Sequence, residues 1–206
     1  MSAAASSAEQ LARALSAQRD KDDKSQLGFW IYLMTDCVLF ATLFATYAVL
    51  RHNTFGGPSG HSLFRPGYVL IETLLLLTSS FTCGLAILTA RLQRRKYVLS
   101  MLLLTAILGA AFLIMEVTEF RHLVTEGNSW RRSGFLSAFF TLVGTHGLHI
   151  LTGLLWLSVL LVKISRQGVN AVNLKRLTLF SLFWHFLDLV WIFIFTFVYL
   201  FGVSGL

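Results

Sequence analysis

Residues 134–162 read GFLSAFFTLVGTHGLHILTGLLWLSVLLV, an apolar run whose only ionisable side chains are two histidines. A helix needs about 20 apolar residues to cross the hydrocarbon core of a membrane. This run is longer, which predicts a tilted membrane-spanning helix. Four further apolar runs occupy about residues 28–50, 68–90, 98–120 and 177–203. The chain is therefore predicted to be all-α, an integral membrane bundle of five transmembrane helices.

Composition supports a membrane protein and excludes other classes. The 206 residues are 55% hydrophobic and 13% charged, with a mean hydropathy of +0.68. A soluble domain typically carries about 25% charged residues. The net charge of +7 could suggest a nucleic-acid-binding protein, but in a membrane protein such an excess usually lies in cytoplasmic loops. Cys37 and Cys83 fall within apolar runs, so no disulfide of a secreted protein and no cysteine zinc site is predicted.

The chain divides into a polar tail, residues 1–27, and a transmembrane domain, residues 28–206. The tail mixes Ala and Ser with charged residues and contains no apolar core, so it is not interpreted as a cleaved signal peptide. Short connections between the spans carry turn-forming residues, among them Gly56-Gly57-Pro58 and Glu126-Gly127-Asn128.

The distribution of Lys and Arg predicts the orientation. Twelve lie in the tail and in the second and fourth loops: Arg13, Arg19, Lys21, Lys24, Arg91, Arg94, Arg95, Lys96, Lys163, Arg166, Lys175 and Arg176. Five lie on the opposite side: Arg51, Arg65, Arg121, Arg131 and Arg132. Because cytoplasmic loops carry the excess, the N-terminus is predicted to be cytoplasmic and the C-terminus periplasmic.

Ionisable side chains inside the spans are the candidate functional residues, since each costs roughly 2.5–3.5 kcal/mol at a helix centre. They are Asp36, Glu72, Glu116, Glu119, His146, His149, His185 and Asp188. At about 1.5 Å per residue, Asp36 and His185 have similar depths near one edge, and Glu72 and Glu116 have similar depths near the other. Three pairs are separated by three residues, so each pair shares a helix face.

Two readings of these residues stay open. They can form hydrogen bonds between helices, or they can form a proton path, an ion site or a metal site. A di-iron carboxylate bundle uses Glu-x-x-His pairs, whereas this chain has Glu-x-x-Glu, His-x-x-His and His-x-x-Asp. Haem ligation by a histidine is chemically possible. We expect Glu116 or Glu72 to form a hydrogen bond with His146 or His149, because an unpaired polar group in lipid is costly.

The aromatic residues are expected to play two roles. Trp30, Trp130 and Tyr199 lie near span ends, as in the aromatic belts of membrane proteins, whereas Trp184 and Trp191 lie deeper and are expected to pack between helices. Small residues on the fourth span, namely Gly144, Gly147 and Gly153, predict a close approach of neighbouring helices.

Four strings carry a family resemblance. Residues 132–149 read RSGFLSAFFTLVGTHGLH, residues 182–191 read LFWHFLDLVW, and residues 28–40 read GFWIYLMTDCVLF, followed by LFATY at 43–47. Together they resemble subunit III of haem–copper terminal oxidases, and they are most similar to the bo-type ubiquinol oxidase branch. Subunits III of some bacterial cytochrome c oxidases share the five-helix form and similar motifs, which leaves the electron donor open.

The resemblance implies a non-catalytic subunit of a proton-pumping complex in the bacterial inner membrane, which oxidises ubiquinol and reduces oxygen to water. Haem and copper are expected in the partner subunit I, and none in this chain. The subunit is expected to pack on subunit I and the other oxidase subunits, to hold phospholipid, and to support proton uptake and stability. The seven-helix members hold lipid in a cleft beside two helices that this chain lacks.

The resemblance also assigns family positions to individual residues. Asp36 takes the position of a carbodiimide-reactive glutamate, Glu116 and Glu119 match a Glu-x-x-Glu pair, and the histidines His146, His149 and His185, with Asp188, match directly. Two alternatives from other classes are a stand-alone membrane metalloenzyme and a proton-coupled transporter that uses Asp36, Glu72 and Asp188 as relay carboxylates.

Overall fold

The computed structural model describes residues 2–51, 53, 54 and 66–204, and the side chains of 23–51, 53, 54 and 67–202. Gly56-Gly57-Pro58, Arg65 and the first three cations of the tail lie outside the described residues or side chains. Within the described part all regular structure is helical: α1 (Ser2–Leu50), α2 (Pro66–Arg91), α3 (Arg95–Thr125), α4 (Gly134–Gln167), α5 (Ala171–Ile194), a π-helical turn (Phe195–Leu200) and α6 (Phe201–Ser204).

The prediction of five long apolar helices is confirmed. Five helices in the described part are long and apolar enough to cross a membrane: Asp23–Leu50, Gly67–Arg91, Arg95–Thr125, Gly134–Gln167 and Ala171–Leu200. Each helix continues past its predicted span at one or both ends. The added turns contain Lys, Arg and Gln, which are good helix formers. Each helix therefore extends beyond its apolar run.

Local capping signals begin and end α4 and begin α5. Ser133 caps the start of α4 by accepting a hydrogen bond from the Leu136 amide at 3.2 Å. Gly168 ends it with a φ of 74°, and its amide donates to the Ile164 carbonyl, a conformation that favours glycine. Asn170 then caps α5 by accepting from the Asn173 amide at 2.7 Å. The α4–α5 connection is therefore tight.

The chain forms two compact units, Met1–Leu39 and Phe40–Leu206. In the first, helix α1 exposes Trp30, as expected for a membrane-belt residue. In the second, helices α2 to α5 form a closed ring, because α2 contacts α3 and α5, and α4 contacts the same two helices. The last part of α1 packs on this ring through Tyr47 against Phe135 and Phe44 against Phe193.

Side chains of helix α5 fill the centre of the ring. Leu177, Trp184 and Trp191 are buried and spaced seven residues apart, which is close to two helical turns. The π-helical turn follows, and within it both Val198 and Tyr199 are buried. A π turn holds one more residue than an α turn, so it brings Tyr199 onto the face that Trp184 and Trp191 occupy.

Candidate functional site

The first buried layer of the ring is built around Trp184, which is 0% exposed. Its indole N–H donates to the Ser79 hydroxyl at 3.2 Å, and that hydroxyl donates to the Thr105 carbonyl at 3.1 Å. A Cβ atom placed on Gly109 would lie 2.8 Å from the ring, and one placed on Gly153 would also lie 2.8 Å from it. The indole therefore lies between two glycine backbones, which confirms the expected packing of Trp184 between helices.

The second layer contains Trp191 and His146. The two rings stack with centroids 5.2 Å apart, and Phe112 meets the indole edge-on at 4.7 Å. The Trp191 N–H donates to the Thr73 hydroxyl at 3.1 Å. Neither ring nitrogen of His146 has a hydrogen-bond partner among the described residues. His146 is therefore an aromatic packing element in this layer.

The third layer collects three of the predicted carboxylates. Glu72 and Glu116 are buried, and Glu116 lies close enough to Glu72 and Glu119 for the three to interact electrostatically. The Tyr199 hydroxyl donates to Oε2 of Glu119 at 3.0 Å. A Cβ atom on Gly147 would lie 2.5 Å from Oε1 of Glu116. The carboxylate is thus seated on the backbone of α4, and the predicted close approach at Gly147 is confirmed.

The other two candidate histidines, His149 and His185, form hydrogen bonds within the helix bundle. His149 Nδ1 lies 2.7 Å from the Thr145 carbonyl, one turn earlier, and its ring packs on Phe40 with centroids 5.2 Å apart. His185 Nδ1 shares a hydrogen bond with the Ser80 hydroxyl.

Asp188 and Asp36 have separate surroundings. The Ser80 hydroxyl also interacts with the Asp188 carboxylate, so His185 and Asp188, which share a helix face, meet the same residue of α2. In the first unit, Asp36 hydrogen-bonds with the Tyr32 hydroxyl one turn earlier on α1. The structure thus brings Glu72, Glu116 and Glu119 together in one place and His185 and Asp188 in another.

One expectation is wrong in part and another is wrong. The hydrogen bonds expected of Glu72 and of His146 are not formed, because neither carboxylate oxygen of Glu72 and neither ring nitrogen of His146 has a partner in the described part of the chain. A bond between Glu116 and His149 stays a prediction. Tyr199 is not a belt residue, since it is only 1% exposed and bonds to Glu119. Matching depth did not imply facing side chains, because depth carries no information about rotation around the helix axis.

Several functional partners were missed by the sequence reasoning. The hydroxyls of Thr73 and Ser79 accept hydrogen bonds from the indoles of Trp191 and Trp184, and that of Ser80 bonds to the imidazole of His185. Those of Thr82 and Thr105 lie 2.8 Å apart. The run Thr78-Ser79-Ser80 inside an apolar span was the available signal. Hydroxyl side chains are common as polar contacts between membrane helices.

A metal site is not supported by the geometry. Among the residues whose positions are described, no group of three or more His, Cys, Asp or Glu side chains could hold a metal ion. The arrangement instead links the helices of the ring through hydrogen bonds and aromatic stacking.

Comparison with known proteins finds relatives over nearly the whole chain. The profile of the family described as cytochrome c oxidase subunit III matches residues 19–203. A relative from Pseudomonas aeruginosa, named cytochrome bo(3) ubiquinol oxidase subunit 3, is 56% identical over 89% of this chain and 88% of its own length. Quinol oxidase subunit 3 of Bacillus subtilis is 47% identical over 87% and 88%. Cytochrome c oxidase subunit 3 of Bacillus sp. PS3 is 47% identical over 87% and 86%.

Proposed function

Because this chain belongs to the cytochrome c oxidase subunit III family, we propose that it is subunit 3 of a bacterial ubiquinol oxidase, a respiratory complex that reduces oxygen to water and pumps protons. The observation that carries the proposal is the high identity, over nearly the full length of both chains, with the Pseudomonas relative of that name. In this role the chain carries no redox centre, packs on subunit I and the other oxidase subunits, and stabilises the complex.

Isolation of the complex in mild detergent through a tag on this chain tests the proposal. We expect a haem-containing large subunit to co-purify and the complex to oxidise ubiquinol. Oxidation of cytochrome c instead would favour the function named for the Bacillus sp. PS3 relative. A chain that purifies alone and retains metal, or that carries protons when reconstituted alone, would contradict the proposal.

For the orientation we propose a cytoplasmic tail of residues 1–27 and a periplasmic C-terminus, supported by the excess of Lys and Arg in the second and fourth loops. A reporter enzyme that functions only outside the cytoplasm, fused after Leu206, is expected to be active. The same reporter inserted between Arg94 and Arg95 should be inactive. Activity with the opposite pattern would reverse the proposed orientation.

We propose that the complex holds a phospholipid chain in a groove of the second unit. The groove has a volume of about 450 Å³ and is lined by Ala41, Phe44, Ala45, Tyr47, Ala48, Arg51, Phe193 and Phe197. Its lining is mostly apolar and includes the cation Arg51, which suits an acyl chain with an anionic head group near that residue.

Filling the groove with Ala45→Phe is expected to reduce the phospholipid that stays with the purified complex, because the added ring occupies the space of the acyl chain. Phosphate analysis of the purified complex measures the phospholipid that remains bound. Ala48→Ser, which adds one small polar atom, serves as a milder variant. Unchanged lipid content in Ala45→Phe would remove the groove as a lipid site.

The eight ionisable residues inside the spans, from Asp36 to Asp188, are proposed to support proton uptake by stabilising the complex through their local contacts rather than by carrying protons. For Asp36 this predicts that Asp36→Asn, which retains a hydrogen-bonding side chain, assembles normally and keeps its rate of oxygen reduction at high pH. Asp36→Leu is expected to weaken assembly by about 1–3 kcal/mol, because a polar partner loses its hydrogen bond. A fully assembled Asn variant that turns over slowly at high pH would show that Asp36 carries protons.

A further inference from the structure

The end of the ring that bears the α2–α3 and α4–α5 connections is strongly basic. Residues 91–97 and 163–176 contain eight Lys and Arg and no Asp or Glu: Arg91, Arg94, Arg95, Lys96, Lys163, Arg166, Lys175 and Arg176. An excess of this kind orients a membrane protein during insertion. That role depends on the number of charges, whereas the structure also gives them a definite arrangement.

Arg95 joins the two connections. Its guanidinium group, at the start of α3, donates a hydrogen bond to the Ser165 carbonyl in the last turn of α4. The carbonyls of a last helical turn lack partners within the helix and carry a partial negative charge, so this contact is favourable. It ties the α2–α3 connection to the end of α4 and brings the charges of both segments to one place.

Around this contact lie four exposed cations, Arg91, Arg94, Lys96 and Arg166, here called the basic rim. Arg94 lies over the Tyr97 ring, with 5.8 Å between its guanidinium carbon and the ring centroid. His122 and Glu126 pair at the opposite, α3–α4 end of the ring, with 3.2 Å between Nε2 and Oε1. With no carboxylate in either basic segment, neighbouring cations repel one another, and an external anion would relieve that repulsion.

We propose that the basic rim binds the phosphate head group of an anionic phospholipid. Two features favour a lipid over an acidic protein segment. The connections are only three residues long, 92–94 and 168–170, so the cations stay at the ends of membrane-spanning helices, where head groups lie. Exposed apolar side chains stand among them, namely Leu92, Tyr97 and Val172, and these suit the glycerol and upper acyl region of a lipid.

The test uses the protein as isolated from its membrane with its accompanying subunits, reconstituted in phosphatidylcholine nanodiscs with increasing phosphatidylglycerol. Arg94→Gln/Arg166→Gln removes one cation from each segment. Arg121→Gln/Arg131→Gln removes two exposed cations from the other end of the ring and is the matched control. The readouts are the phosphatidylglycerol fraction that gives half of the thermal stabilisation and, by native mass spectrometry, the number of phosphatidylglycerol molecules retained.

We expect Arg94→Gln/Arg166→Gln to raise the half-saturating phosphatidylglycerol fraction by about fivefold for each cation removed, with one lipid fewer retained, while the control matches the wild type. Inorganic phosphate should not give the thermal stabilisation that phosphatidylglycerol gives. Equal effects in both variants, or none in either, would overturn the proposal. It would also be overturned if the rim variant kept its lipid but lost a partner subunit in a salt wash, because an acidic protein segment would then be the occupant.

Discussion

Replacement of Trp184 by alanine is expected to lower the free energy of unfolding by about 3–5 kcal/mol, the usual range for removing a buried aromatic side chain. Trp184 is 0% exposed, and its indole lies against Gly109 and Gly153. Because neither glycine has a side chain that could move into the space, the cavity stays open. The Ser79 hydroxyl also loses the indole N–H as a donor.

The buried thiol of Cys83 provides the measurement, since it is 0% exposed and reacts with a thiol-specific dye only on unfolding. Cys37 is exposed, so the comparison is made in a Cys37→Ser background. Trp130→Ala is the matched control, because the same side chain is 51% exposed there, and we expect a change within about 0.5 kcal/mol. If both variants unfold at the same temperature, the central role of Trp184 is refuted.

The second large effect is expected at Gly147. A Cβ atom there would lie 2.5 Å from Oε1 and 3.0 Å from Cδ of Glu116. Glu116 is buried, so its carboxylate has no solvent-facing position to move to. Gly147→Ala should therefore destabilise the bundle by about 1–3 kcal/mol, as overpacking does in well-packed cores. Gly84→Ala is the control, because nothing lies within 4 Å of its added Cβ.

A double-mutant cycle identifies the cause. If the loss arises from the contact with Glu116, adding Glu116→Ala should cancel the penalty of Gly147→Ala, with a coupling energy of about 0.5–3 kcal/mol. The same thiol assay reports all four proteins. A penalty at Gly147 that persists unchanged without the Glu116 side chain would place the clash elsewhere.

The five helices could be predicted from the sequence because the responsible property is local. A run such as residues 134–162 is long and apolar enough to require a spanning helix on its own. The burial of Trp184 and the close approach at Gly153 were also predictable, since a deep indole and a small residue in such a run both indicate packing between helices. Chain length and polarity decide these features, whatever the neighbouring helices do.

The partners of the buried polar residues were decided only by the tertiary structure. Sequence spacing placed Glu72 and His146 at heights that allowed a bond, yet Glu72 lies with Glu116 and Glu119, while His146 stacks on Trp191. Tyr199 was predicted to be a belt residue because it lies near a span end, but the π-helical turn places it on the face where it bonds to Glu119. Rotation about each helix axis selects these contacts, and that rotation is set by the packing of all four helices of the ring together.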